Sequence, residues 1–347
     1  MKPLVLIDAD ALGRQRTGNE TYVRELLRAL RASDLRLAAV TRHPELVPEG
    51  VEPVELPAQH QIVRMAWQLP WLLRRLRPTV AHFQHALPLG YGGPSVVTVH
   101  DLSFERDPGL MGLRDRLVFQ AAVPRSARRA SRVIVVSEQT KRDLIELSGV
   151  PAERIAVVPN GVGERFSPQG PQANGQPYAL VVGSLEPRKD PLTAIEGFAL
   201  VGDDELRLVF AGPDRGDGPV ARAAAASRGL EWRVEFKGHV SDEELAALYR
   251  GAECLVFPSR DEGFGLPLLE AMASGVPVVA TRAGALPEIA GDAAILVEPR
   301  DPVALAGGIE RALADRERLV AAGFDRAKQF SWTDTAERTL AVYRELL

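Results

Sequence analysis

Short apolar runs rich in β-branched residues alternate along the chain with longer stretches whose apolar positions recur at helical spacing. Runs of that kind, separated by amphipathic helices, are the pattern of parallel strands covered on both faces. In the first half, LVLID (4–8), LRLAAVT (35–41), VAHFQH (80–85), SVVTVHD (95–101), RVIVVS (132–137) and IAVVPN (155–160) read as strands. In the second half, YALVVGS (178–184), LRLVFAG (206–212), VEFKGHV (234–240), ECLVFPS (253–259), VPVVAT (276–281) and AAILVEP (293–299) do the same. Each half is therefore expected to be an open α/β domain that takes ligands beyond the carboxyl ends of its strands, and two such domains would face each other across a cleft. Between the sets, GVGERFSPQGPQANGQP (161–177) is rich in Gly, Pro and Gln and lacks apolar periodicity, as a linker does. The expected organisation is a first domain over 1–163, a linker over 164–177, a second domain over 178–329 and a closing amphipathic helix over 330–347.

At 347 residues the chain suits two domains, and 46% hydrophobic with 25% charged residues is ordinary for a globular protein. The single cysteine, Cys254, excludes an intramolecular disulfide and a cysteine-rich metal site, and it suits a reducing compartment. The N-terminal MKPLVLIDAD is too short for a signal-peptide core and no run approaches the length of a membrane span, so a cytoplasmic location is expected.

Charge is unevenly divided. Residues 1–165 carry 23 Lys and Arg against 18 Asp and Glu, a net of +5, and the remainder carries −9. Within 61–77, RMAWQLPWLLRRLR mixes Trp67 and Trp71 with arginines, a mixture that can lie on the anionic cytoplasmic face of a membrane. The commoner fate of such a helix is to pack its apolar side on a sheet. No nucleic-acid recognition motif accompanies these arginines or RSARRASR (125–132), and the overall charge is −4, so nucleic acid is not an expected partner.

The most informative segment is EGFGLPLLE (262–270). Gly263 and Gly265 let the backbone approach a ligand closely, and Pro267 suits the first turn of a helix whose N-terminus is an anion site. Glu262 on the loop and Glu270 on the helix would repel a phosphate, so they should meet neutral hydroxyls on either side of it, as a sugar supplies. In GSLEPRKD (183–190), Gly183 ends a strand and Arg188 and Lys189 follow on the loop, where two cations could neutralise a diphosphate.

In the first half, Thr17-Gly18-Asn19 opens a helix marked by Tyr22, Val23, Leu26, Leu27 and Leu30, again offering N–H groups to an anion. A plain strand-to-helix turn explains it equally well. His100 and Asp101 end SVVTVHD, and the imidazole there can hydrogen-bond a sugar or act as a base, with Asp101 serving as a turn former. His82 and His85 point to opposite faces of one strand, so no metal site is expected. The chain lacks GxGxxG, GxxxxGK[ST] and GxSxG.

With these residues assembled, the chain resembles the retaining glycosyltransferases of family 4, which have the two-domain GT-B fold. The resemblance spans nearly the whole chain, through TGNETY, VHDLSF (99–104), VIVVSEQTKRDL (133–144), VVPNGV (157–162), VGSLEPRKD (182–190), FKGHVSDEELAALY (236–249) and FPSRDEGFGLPLLEAMASGVPVVAT (257–281). It implies that Glu262 holds hydroxyls of the donor sugar, that the amides of Phe264, Gly265 and Leu266 face that sugar and the diphosphate, and that Glu270 binds the ribose. It further implies that Lys189, supported by Arg188, binds the diphosphate, that His100 approaches the transferred sugar, and that Val240 lies near the nucleobase. Gly18, Asn160 and Gly183 join the donor-binding set, while Ser137, like Asn160, lies at a strand end with a less definite role. The chain departs from the family at Ser184, where many members carry Arg, and in having one Gly in RTGNETY where relatives often have two. By resemblance the closing helix crosses back to the first domain.

The implied reaction moves a hexose, with mannose from GDP-mannose preferred on the style of the LEPRKD loop, to a glycan or lipid-linked acceptor in polysaccharide biosynthesis. It retains the anomeric configuration by front-face attack and needs no cofactor and no essential metal. A nucleotide-sugar epimerase and a non-catalytic sugar-nucleotide-binding protein are the alternatives.

Overall fold

Thirteen strands form among the described residues, most of them at a run of small or β-branched apolar side chains that both faces of a parallel sheet can bury. The computed structural model describes residues 2–13, 18–57, 60–107, 109 and 112–347, so Thr17 of the expected first turn lies outside the described residues. The chain divides into two compact units, Met1–Gly161 with Ser331–Leu347, and Val162–Phe330.

The sheet of unit 1 comprises β1 (Leu4–Asp8), β2 (Arg36–Thr41), β3 (Glu52–Glu55), β4 (Val80–Gln84), β5 (Ser95–Val99), β6 (Arg132–Val135) and β7 (Ile155–Val157). All pairings are parallel, in the order β3-β2-β1-β4-β5-β6-β7. That of unit 2 comprises β8 (Tyr178–Val182), β9 (Arg207–Ala211), β10 (Val234–Gly238), β11 (Cys254–Phe257), β12 (Val278–Thr281) and β13 (Ile295–Val297), parallel in the order β10-β9-β8-β11-β12-β13. Both are Rossmann-like doubly wound sheets whose strand order reverses beside the first strand, between β1 and β4 and between β8 and β11. In open sheets of this kind ligands gather at the carboxyl ends of the strands beside such a reversal.

Strand β3 was not foreseen. Its sequence EPVE carries two carboxylates and a proline, which no buried strand tolerates. It pairs only with β2, at the sheet edge, where Pro53 costs no ladder hydrogen bond and the glutamates face water. The expected strands 80–85 and 95–101 also stop early, at Gln84 and Val99, leaving His85 and His100 on the loops beyond.

Leu6, Phe83, Val97 and Val133 form the core of unit 1 with Leu69, Leu72 and Leu73 of the helix Leu69–Leu76. The RMAWQLPWLLRRLR segment thus does pack one side on the sheet. Arg64, expected in its surface basic cluster, is instead 1% exposed and donates to both carboxylate oxygens of Asp8. A widened, π-type turn over Arg64–Gln68 precedes that helix. In unit 2, Val181, Leu208, Phe210 and Val256 pack with Leu305 and Ile309.

Residues 164–177 are not a free-standing linker. Arg250 donates to the carbonyls of Arg165, Ser167 and Pro171, and Ala173 N donates to Ala247 O, tying the segment to the helix Asp242–Gly251 of unit 2. The final helix, Trp332–Arg344, belongs to unit 1. Thr335 there donates to Pro159 O at 2.7 Å, and the Tyr343 hydroxyl meets His82 Nδ1 at 2.6 Å. The chain leaves unit 1 after Gly161 and returns at Ser331, and Val162 N donates to Phe330 O at 3.2 Å, so the two ends of unit 2 are adjacent. Among the described residues no helix is long and apolar enough to cross a membrane.

Candidate functional site

The β8 and β11 loops converge because their strands are neighbours. Gly183 follows β8, and the loop from it to Asp190 ends where Asp190 caps the helix Pro191–Phe198 by accepting from Thr193 N and Thr193 Oγ1. After β11 the chain runs through Pro258 to Gly265, which adopts a φ of +100° and starts the helix Leu266–Ala273, with Pro267 in its first turn. Gly183, Ser184, Lys189, Phe257 and Pro258 line a small pocket at these strand ends.

Glu262 is the hub. Arg188 Nη1 donates to Glu262 Oε2 at 2.8 Å and to Asp261 O at 3.1 Å, while Arg188 Nη2 meets Glu186 Oε1 at 3.1 Å. Lys189 Nζ donates to Glu262 Oε1 and stands 4.8 Å from the centre of the Phe257 ring. Burial alone would raise the Glu262 carboxyl, which is 8% exposed, but Arg188 and Lys189 outweigh it and hold the group down at about 2. Burial pushes the Lys189 ammonium down, with Glu262 opposing. The structure thus brings Arg188, Lys189 and Glu262 into direct contact.

The Glu262 loop is held from behind by Gly284. This residue has a φ of +53°, and a Cβ on it would lie 2.3 Å from Glu262 O and 2.4 Å from Asp261 Oδ1. Gly284→Ala is therefore expected to destabilise unit 2 by roughly 1–3 kcal/mol in urea titrations, through backbone strain and overpacking.

Glu270 lies in the helix Leu266–Ala273, 8% exposed, and accepts from the hydroxyl of Tyr249 at 2.8 Å. Burial raises its carboxyl to about 7, against the lowering effect of that hydrogen bond. Tyr249 is fully buried against Phe166, ring centres 5.6 Å apart. Tyr249 was missed from sequence. Its only signal there is a buried helical position that a phenol occupies, since a buried hydroxyl requires a partner. Phe264 packs on Phe330 at 5.9 Å, and Leu266 and Val240 are half-buried.

In unit 1, His100 follows β5 and donates from Nε2 to Gln84 Oε1 at 2.9 Å, with its ring edge-on to Tyr22 at 4.7 Å. Burial, reinforced by His85 and His82, holds it well below the usual imidazole range, so it is neutral. Asp101 is a turn former, accepting from Ser103 N and Ser103 Oγ. Ser137 caps the helix Glu138–Ser148 through Thr140 N, a structural duty. Gly18 starts the helix Gly18–Leu30 and is exposed, and Asn160 is 4% exposed beyond β7. Cys254 is buried in β11 with its thiol pushed up to about 12 by burial, as a packing residue is.

Residues 16–165 match the family model described as Glycosyltransferase Family 4, and residues 163–326 match that described as Glycosyl transferases group 1. O-antigen chain mannosyltransferase B of Escherichia coli is 32% identical over 269 residues, 73% of this chain and 70% of the relative. MMP alpha-(1->4)-mannosyltransferase of Mycolicibacterium hassiacum is 37% identical over 233 residues, 64% of this chain and 56% of the relative, so this second match spans less than two thirds of the relative. Among solved structures, the sucrose-phosphate synthase of Thermosynechococcus elongatus aligns with a TM-score of 0.83 at 24% identity, covering 100% of this chain and 99% of that one, a likeness of fold.

Proposed function

From its membership of glycosyltransferase family 4, to which the chain belongs, we propose that it moves a hexose from a nucleotide diphosphate sugar to a glycan or lipid-linked acceptor, with retention at the anomeric carbon. The observation that carries the reading is the Arg188–Glu262–Lys189 cluster at the reversal of strand order in unit 2. A carboxylate held ionised by two cations accepts from sugar hydroxyls, and the same cations stabilise charge developing on a departing diphosphate. In this reading the Phe264, Gly265 and Leu266 amides face the sugar and diphosphate, Glu270 takes the ribose, and Val240 and Gly183 border the nucleotide. Asn160 and Gly18 serve from unit 1, and His100, being neutral, acts as a hydrogen-bonding group.

The acceptor attacks on the face from which the diphosphate leaves, and a phosphate oxygen takes its proton, so no side-chain nucleophile is used. Lys189 and Arg188 supply the positive charge, which makes a divalent ion dispensable. Mannose is the favoured sugar, supported by the names of the two relatives. The test is a melting assay with GDP-mannose and UDP-glucose, followed by transfer in the presence of a chelator and determination of the product anomer. We expect GDP-mannose to raise the melting temperature, an α-linked product, and a rate that chelation does not change. An inverted product, or a strict metal requirement, would refute the mechanism.

The acceptor side also favours a lipid surface. Ile62, Trp67 and Trp71 are 76%, 79% and 58% exposed, and Leu89, whose N–H donates to Met65 O, is exposed beside them. Arg74, Arg75 and Arg77 are exposed on the same segment, with Arg75 over the Trp71 ring at 5.4 Å. Aromatic anchors next to unpaired-sign charge suit an anionic bilayer. Sedimentation with vesicles containing anionic lipid is expected to pull down the wild type and to lose Trp67→Ala/Trp71→Ala about tenfold, with neutral vesicles retaining neither.

A further inference from the structure

Beyond β4 and β5 of unit 1, several buried polar groups stand in one ring-contact cluster, and some are left without partners. His82, inside the sheet, is satisfied at both nitrogens, by Tyr343 OH at 2.6 Å and Thr98 Oγ1 at 2.7 Å. His85, three residues on, is not. Its Nε2 meets the Asn19 amide at 3.2 Å. The Asn19 nitrogen is the donor, so the ring proton of the neutral imidazole sits on Nδ1, and that buried Nδ1 has no partner among the described residues. The adjacent Gln84 spends its carbonyl on His100 and leaves a buried Nε2 unpaired. The His85 and His100 rings are 5.1 Å apart, Tyr22 bridges His100 and Trp332 by ring contacts of 4.7 and 6.2 Å, and the indole Nε1 of Trp332 is likewise unpaired.

His85 also has a φ of +63°, which a non-glycine residue adopts at a cost and which clusters at ligand sites. A buried donor without an acceptor is costly in a packed interior, and the cost disappears when a ligand oxygen fills the place. The unpaired donors are uncharged. Burial keeps the His85 imidazole neutral, and Asp101, the carboxylate acting on it, is engaged by Ser103. Uncharged donors suit alcohol oxygens.

We propose that His85 Nδ1 and Gln84 Nε2 form a hydroxyl-binding site for the sugar or polyol acceptor, with His85 as an acceptor-specificity residue. The assignment of the ligand as acceptor rests on the glycosyltransferase reading. Asn19 fixes the tautomer of His85, as Gln84 fixes the tautomer of His100.

The test is a titration of ¹⁵N-histidine-labelled full chain with methyl α-D-mannoside and with myo-inositol, followed by long-range ¹H–¹⁵N spectra of the imidazoles. The His85 signal is assigned by His85→Asn, since Asn tolerates positive φ, or by its through-space contact with Phe119, whose ring lies 5.6 Å away. We expect saturable movement of His85 Nδ1 with at least one polyol, no movement of His82, and about tenfold weaker binding in Gln84→Ala. A His85 signal that neither polyol moves, that moves only with GDP-mannose, or that titrates unchanged in Gln84→Ala would overturn the proposal. Failure of the glycosyltransferase reading registers separately, as absence of any stabilisation by GDP-mannose and UDP-glucose.

Discussion

Lys189→Ala is expected to lower the rate of sugar transfer by about 10²–10³-fold while the protein remains folded, because in the proposed mechanism it removes a preorganised charge aimed at the departing diphosphate. The fold tolerates the change for a specific reason. Glu262 keeps Arg188 at 2.8 Å, so no buried carboxylate is orphaned. Glu262→Ala differs in kind, leaving two cations in a confined place without their counter-charge, at a cost of roughly 3–5 kcal/mol. Its effect on rate therefore arrives mixed with a loss of stability, and Lys189→Ala is the cleaner probe. The pH dependence separates them further. The Glu262 carboxyl is depressed from 4.5 to about 2 on folding, so it stabilises the folded state above about 4.5 and that contribution drains away as pH falls towards 2. Glu262→Gln should lose this acid-range slope in denaturant titrations, whereas Lys189→Ala keeps part of it. Steady-state transfer and circular-dichroism melts check both, and a wild-type rate in Lys189→Ala would remove Lys189 from the mechanism.

Glu270→Ala is expected to weaken donor binding by about 10–100-fold, the worth of hydrogen bonds from two ribose hydroxyls to a carboxylate. Wild-type binding should also change across neutral pH, because burial has raised this carboxyl to about 7. Below that value Glu270 is protonated and accepts less well, so affinity for a nucleoside diphosphate falls as the solution is acidified. Stability runs the other way. A carboxyl raised on folding stabilises the folded state fully below 4.5, and the effect is lost as pH rises through 7, so Glu270→Gln should gain on wild type in alkaline solution. Tyr249→Phe removes the hydroxyl that lowers the Glu270 value and moves the binding limb to higher pH. Calorimetric titration on either side of neutrality decides it; a flat profile in the wild type would show that Glu270 does not meet the ribose as an anion.

Most of the α/β architecture was legible because buried parallel strands leave unmistakable apolar runs. The miss, β3, lay at an edge, where side chains face water and an acidic, proline-bearing segment carries no apolar signal. The loops bearing Lys189 and Glu262 were legible from Gly183, Gly265 and Pro267, which mark strand and helix ends. That Lys189 and Arg188 both grip Glu262 was not, since pairing across 73 and 74 residues depends on which strands adjoin. Arg64 was misread by composition, because a guanidinium among tryptophans looks exposed until Asp8 is seen beneath it. His85 was read as a strand residue, and its left-handed backbone is a property of the turn beyond β4 that no periodicity encodes. Residues 164–177 looked like a tether because Gly and Pro carry no side-chain signal, yet Arg250 binds the backbone carbonyls.

The hydrogen bond between Val162 and Phe330 gives unit 2 a pair of ends that meet, and Gly161 lies against the backbone of Ser331 and Trp332. In effect unit 2 is a cassette, spliced into its host between two neighbouring points of one chain. Insertions whose ends coincide can be exchanged whole without re-routing the recipient. The loops bearing Lys189 and Glu262 therefore travel with unit 2 as one piece, and exchanging that unit needs only two adjacent joins.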